Sequence, residues 1–212
     1  MAAYPDIQKK AQAEVDRIFT SERMPNGADI EKTSMPYLQA LFWEILRWVP
    51  VLPVSLPHAT TQDDTYGRYF IPAGTTVIMN VWAIHHDPDE YPNPDVFDPS
   101  RFLNNDFGAS DASQDNASRR KTYAFGAARR VCAGQSMAEK SLLLSMVKIL
   151  WAFDIRPTEE GKLDTNVETA FTSAILIGLK DVGMDFAIRE ESKREVVKAE
   201  WEKADAFLRT FE

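Results

Sequence analysis

Phe125-Gly126-Ala127-Ala128-Arg129-Arg130-Val131-Cys132-Ala133-Gly134 holds the only cysteine of the chain. Small residues and two arginines lead into the thiol, and a helix-forming run starts directly after it. Such a loop lets a flat, anionic group lie close to the backbone while a sulfur points at it. A lone cysteine makes no internal disulfide, so Cys132 is an inert small hydrophobe, a nucleophile or a metal ligand. The positive end of the following helix and the neighbouring Arg129 and Arg130 favour an anionic sulfur. A soft thiolate suits iron, copper(I) or zinc. Zinc is disfavoured, because the chain has one Cys, three His and no paired-ligand spacing. His85 and His86 are adjacent and read as ordinary turn residues. A macrocyclic metal needs only one axial protein ligand, and haem fits that arithmetic.

Upstream of the loop stand Arg119, Arg120 and Lys121, a basic cluster in a chain of net charge -8. Opposite charge there suits an acidic partner, and the alternative is a solvated loop. The overall acidity argues against nucleic acid as a partner. Further upstream, Glu44 and Arg47 sit at i, i+3 inside a helix predicted from Pro36 to Val49. Leu38, Leu41, Phe42, Ile45 and Val49 form its apolar stripe, and Trp43, Leu46 and Trp48 widen it until the helix reads as buried. A charge pair in such a helix needs partners, which points to a clamp rather than an exposed ion pair. The proline-framed meander Asp95-Val96-Phe97-Asp98-Pro99-Ser100-Arg101-Phe102 offers Arg101 as a second guanidinium for Glu44.

The remaining pattern is mainly helical with short strands. Pro5 to Phe19 reads as an amphipathic helix, broken at Pro25-Asn26-Gly27. Tyr66 to Asn80 reads as a hairpin turning at Pro72-Ala73-Gly74. Gln135 to Phe153 reads as a long apolar helix, Phe171 to Ile188 as short strands, and residues 190–212 as a charged helical tail. Residues 104–120 are polar and read as a mobile insertion. With 44% hydrophobic residues, the 212-residue chain carries enough apolar surface for a core. Met1 to Asp6 lacks a signal-peptide pattern, and no apolar run approaches the ~20 residues of a membrane span.

Three elements in order resemble the cytochrome P-450 superfamily of haem-thiolate monooxygenases. They are Glu44-x-x-Arg47, Phe97-x-Pro99-x-Arg101-Phe102, and Phe125-x-x-Ala128-x-Arg130-x-Cys132-x-Gly134. Pro57-His58, Ile71-Pro72-Ala73-Gly74 and Trp82-Ala83-Ile84-His85-His86-Asp87-Pro88 match as well, over Tyr4 to about Arg189. The flavour resembles fungal, microsomal-type enzymes. The resemblance implies an α+β fold, mainly α with small sheets, here the C-terminal haem-binding portion of a single incomplete domain spanning 1–212.

It implies haem b (iron protoporphyrin IX) with Cys132 as axial thiolate, Phe125 packing beside it, Arg130 and His58 at the propionates, and Gly134 allowing close approach. Glu44, Arg47 and Arg101 would be the structural triad. Residues near Val51 to Leu56 and Phe171 to Leu176 would line a pocket for a lipophilic small molecule, oxidised in secondary metabolism with electrons from an NADPH-dependent reductase. Such enzymes usually reach the endoplasmic reticulum membrane through an N-terminal anchor. The distal oxygen-activating helix has no counterpart in this sequence, so the alternative expectation is a truncated, non-catalytic remnant. Ala128 departs from the family's usual glycine. If that position needs φ > 0, alanine costs roughly 1 kcal/mol.

Overall fold

The computed structural model describes residues 1–109, 120–158, 163–172, 174, 176–180 and 183–211. Two compact units are present. One comprises Met1–Ala40, Gly134–Asn166 and Asp181–Glu212, the other Leu41–Ala133 and Val167–Lys180. The expected tip of the polar insertion, 110–119, lies outside the described residues, as do Ser173 and Glu212.

In the first unit, α1 (Pro5–Ile18) starts with proline in its first turn, where a missing N–H is harmless. Ala11 and Val15 are fully buried, as are Val147 and Trp151 of α6 (Gln135–Ala152). Two buried polar residues on α1 are satisfied by a strand, β5 (Phe153–Pro157). Gln8 donates to Ile155 O at 3.0 Å and accepts from Ile155 N at 2.7 Å, acting as a surrogate strand edge. Gln12 donates to Phe153 O and Asp154 Oδ1. Sequence periodicity alone had extended α6 through Phe153. The helix ends one residue earlier because Phe153 pairs with Ile188 of β6 (Met184–Ile188), a partner far along the chain.

A short helix unforeseen at the sequence level, α2 (Gly27–Lys32), begins where the turn Pro25-Asn26-Gly27 was expected only to break structure. Asn26 accepts from Ala28 N and Asp29 N while Asp29 accepts from Asn26 N, a reciprocal capping box. The next helix, α3 (Pro36–Trp48), starts in this unit and ends in the second. Its N-terminus is capped by the Glu14 carboxylate, which accepts from Tyr37 N and Leu38 N. A carboxylate there satisfies orphan donors and meets the positive end of the helix dipole. The C-terminal α7 (Glu191–Leu208) is tethered near its start. Arg189 pairs with Asp16 at 2.6 Å, and Lys193 pairs with Glu190 at 2.8 Å.

The second unit holds two small antiparallel pairs. Strands β2 (Asp64–Tyr66) and β3 (Tyr69–Ile71) form a hairpin, and β1 (His58–Ala59) pairs with β4 (Thr76–Val77). The hairpin therefore turns at Gly67-Arg68, not at Pro72-Ala73-Gly74 as the sequence suggested. Gly67 has φ +58, which the short connection demands and glycine supplies. Pro72-Ala73-Gly74 instead makes a second turn, with Thr75 N donating to Pro72 O at 3.2 Å, and sends β4 back to β1. Two short helices complete the unit, α4 (Val81–His85), capped by Asn80, and α5 (Arg101–Asn104). Among the described residues, no helix is long and apolar enough to cross a membrane.

Candidate haem-binding site

The candidate residues Glu44, Arg47, His58, Arg101, Phe125, Arg130 and Cys132 all belong to the second unit. At its base lie Glu44 and Arg47 of α3, both fully buried. Arg47 donates through Nε and Nη2 to the two Glu44 oxygens, at 2.7 and 2.8 Å. Its other donors reach His85 O at 3.0 Å and Pro94 O at 2.8 Å. Glu44 Oε1 also accepts from Asp98 N at 2.8 Å. The fork of one arginine thus binds a helix, α4 and the meander together, with its charge matched inside the fold. Arg101 approaches the same carboxylate, its Nε 3.6 Å from Glu44 Oε1, and its terminal nitrogens donate to the carbonyls of Pro92 and Asn93.

His85 is a correction to the sequence reading, which took it for a turn residue. It closes α4 and is fully buried. Its Nε2 accepts the main-chain N–H of Tyr123 at 3.0 Å. Burial first, then the Arg47 and His86 charges, push its pKa down to about 3, partly opposed by main-chain groups of Arg47 and Leu46. His86 lies instead against Trp82, ring on ring at 3.9 Å, and burial lowers its pKa as well.

The cysteine loop follows Tyr123. Gly126 N donates to Tyr123 O and Cys132 N donates to Phe125 O, both at 2.9 Å, so the loop neck closes between Phe125 and Cys132. Gly126 has φ +79 and Ala128 φ +51. The second value meets the condition set by the sequence: alanine occupies a left-handed position here, at a cost of roughly 1 kcal/mol. Cys132 is free and exposed. Arg129 and Arg130 are exposed, and neither has a side-chain partner among the described residues. With His58, Ala59, Thr60, Thr61, Gln62 and Asp64 they line a cleft of about 710 Å³. Cys132 does not line this cleft; the imidazole and two guanidinium groups that do are suited to a ligand bearing carboxylates.

Gly134 belongs to the first unit, at the N-cap of α6, with φ -85. That conformation is open to any residue, so only a close neighbour would require glycine there. Contacts at the margins of the two apolar stretches named from sequence are present: Ile177 N donates to Val51 O at 2.8 Å, and the Trp48 and Phe171 rings meet edge to face. Val51, Val54, Leu56 and Leu176 are all exposed. Of the basic cluster, Lys121 pairs with Asp106 at 3.5 Å and lies over the Trp43 ring, while Arg119 falls outside the described residues.

The sequence profile of the cytochrome P450 family matches residues 1–180. The chain belongs to the cytochrome P450 family. It is 36% identical over its whole length to the cytochrome P450 monooxygenase patI of Aspergillus clavatus, of which it covers 40%. It is 37% identical over 97% of its length to the monooxygenase yanC of Aspergillus niger, covering 39% of that protein. A zebrafish cytochrome P450, solved with abiraterone, superimposes on 89% of the chain with a TM-score of 0.74 and 30% identity, over 41% of its own length. The chain thus spans about 40% of the length of the curated P450 relatives cited. Haem is the cofactor of the P450 family, and the family's mixed helix-and-small-sheet fold is the one seen here.

Proposed function

We propose that this chain contributes the thiolate side of a haem-thiolate monooxygenase that inserts oxygen into a lipophilic small molecule in secondary metabolism. The observation that carries the reading is the exposed Cys132, held by a closed loop in the same unit as the cleft shared by His58 and Arg130. When bound, haem supplies the oxygen activation. Cys132 would hold the iron through its sulfur and supply the electron donation associated with haem thiolates. Arg130 and His58 would hold the haem carboxylates by hydrogen bonds, and Phe125, joined to Cys132 through the main chain, would pack beside it. Glu44, Arg47 and Arg101 hold the scaffold on which the loop rests. The exposed apolar residues around Val51, Leu56 and Leu176 favour a lipophilic substrate. Arg120, Lys121, Arg129 and Arg130, with Arg119 beside them in sequence, would suit an acidic reductase by opposite charge.

The test is spectroscopic. The chain is expressed with haem available, reduced and exposed to carbon monoxide. A strongly red-shifted, thiolate-type Soret band is expected, and Cys132→Ala is expected to abolish it. Absence of haem uptake would overturn the reading and favour a non-catalytic chain.

A further inference from the structure

We propose that His85 is a positioning residue for the cysteine loop, acting through the hydrogen bond from Tyr123 N to its Nε2. The functional consequence rests on the haem-thiolate reading above; the positional claim stands on geometry within the second unit.

His85 is held from both ends. Its carbonyl accepts from Arg47 Nη1 at 3.0 Å, and its ring accepts from Tyr123 N at 3.0 Å. A main-chain N–H can only donate, so Nε2 is the acceptor and the ring proton resides on Nδ1. Beyond Tyr123 the chain of hydrogen bonds continues. Tyr123 O accepts from Gly126 N, and Phe125 O accepts from Cys132 N. Thr122 is buried, and its Oγ1 accepts from Ala124 N at 3.1 Å, fixing the entry to the same loop. The segment carrying the sulfur is therefore anchored to the buried Glu44–Arg47 pair through one histidine, its ring on Tyr123 N and its carbonyl on Arg47, although Tyr123 and His85 are separated by 38 residues.

A plain core histidine would fill space and leave no trace in the loop when replaced by a residue of similar volume. An anchoring histidine is sensitive to where the replacement presents its acceptor. Glutamine reaches the Nε2 position and asparagine does not. The full chain is therefore compared as wild type, His85→Gln and His85→Asn, by amide hydrogen exchange of Tyr123 and of residues 125–132 without haem, and by the ferrous carbon monoxide spectrum with haem. Loss of one hydrogen bond predicts about tenfold faster exchange of the Tyr123 amide in H85N, with H85Q staying within about threefold of wild type. The thiolate-type band is expected to lose intensity in H85N and to be restored in H85Q.

Wild-type exchange and an undiminished band in H85N would overturn the proposal. So would equal disturbance of the loop by both variants, the mark of a packing role alone. If wild type itself gives no thiolate-type band, the haem reading fails, while the exchange comparison still decides whether His85 anchors the loop.

Discussion

Arg47 holds Glu44 by two parallel hydrogen bonds, at 2.7 and 2.8 Å, and both side chains are wholly excluded from solvent. Arg47→Leu leaves the Glu44 carboxylate buried without its main counter-charge and deprives the His85 and Pro94 carbonyls of their donor. The expected loss is about 3–5 kcal/mol, the usual penalty for removing one member of a buried pair. Urea unfolding followed by tryptophan fluorescence measures it. A loss below about 1 kcal/mol, the range of exposed ion pairs, would contradict the clamp.

Ala128 occupies φ +51, a region that glycine enters freely and alanine does not. Ala128→Gly is expected to stabilise the chain by up to about 1 kcal/mol, less the extra freedom glycine brings to the unfolded state. For a domain of this size that is a rise in Tm of about 2–4 °C. Scanning calorimetry on the two proteins reads it directly, and a lower Tm in the variant would contradict left-handed strain at this position.

His85 links stability to pH. Its folded pKa of about 3 lies below the ordinary value of 6.5, so the unfolded chain binds more protons between those limits. Stability from this group is complete above about pH 6.5 and falls as pH drops towards 3, accumulating to a few kcal/mol. The charged group nearest in effect is Arg47, with His86 adding to the same direction. Denaturation midpoints from pH 7 to pH 4 are expected to fall less steeply in His85→Gln than in wild type. Parallel curves would exclude His85 as a source of the dependence.

Arg189 joins β6 to the body of the first unit. It pairs with Asp16 at 2.6 Å and donates to Leu150 O at 3.0 Å. The hydrogen bonds it donates to the Asp16 carboxylate raise its pKa further, so the guanidinium keeps its charge at high pH. Arg189→Ala is expected to loosen α7, with faster proteolysis of residues 191–208 and a loss of about 1–2 kcal/mol. Unchanged cleavage kinetics would show that α7 holds without this tether.

The proposed reductase surface has a kinetic signature. Replacing Arg119, Arg120 and Lys121 by glutamate in a version of the protein that turns over is expected to slow reduction at low salt, with the difference shrinking as salt rises. Equal rates at low salt would remove that cluster from the docking surface.

Much of the fold was legible because local signals agree. Pro5 and Pro36 mark helix starts, the apolar stripe of residues 38–48 marks burial, and the spacing of Glu44 and Arg47 places them on adjacent positions of one face. The hairpin was misread because two glycine turns compete, and only strand pairing selects Gly67 as its turn and assigns Gly74 to the return towards β1. Strand β5 was hidden for the same reason: its partner β6 lies outside any local window. The chemistry proposed around Cys132 rests on its loop, its arginines and the two motifs ahead of it.

The sequence by itself determined the family, the thiol and the ion-pair helix, since residue types at fixed spacing carry those. Only the tertiary structure decided which charges are buried together, that Ala128 takes a left-handed conformation, and that His85 holds the Tyr123 amide. Those depend on segments distant in sequence meeting in an interior where leaving a polar group unpaired is costly.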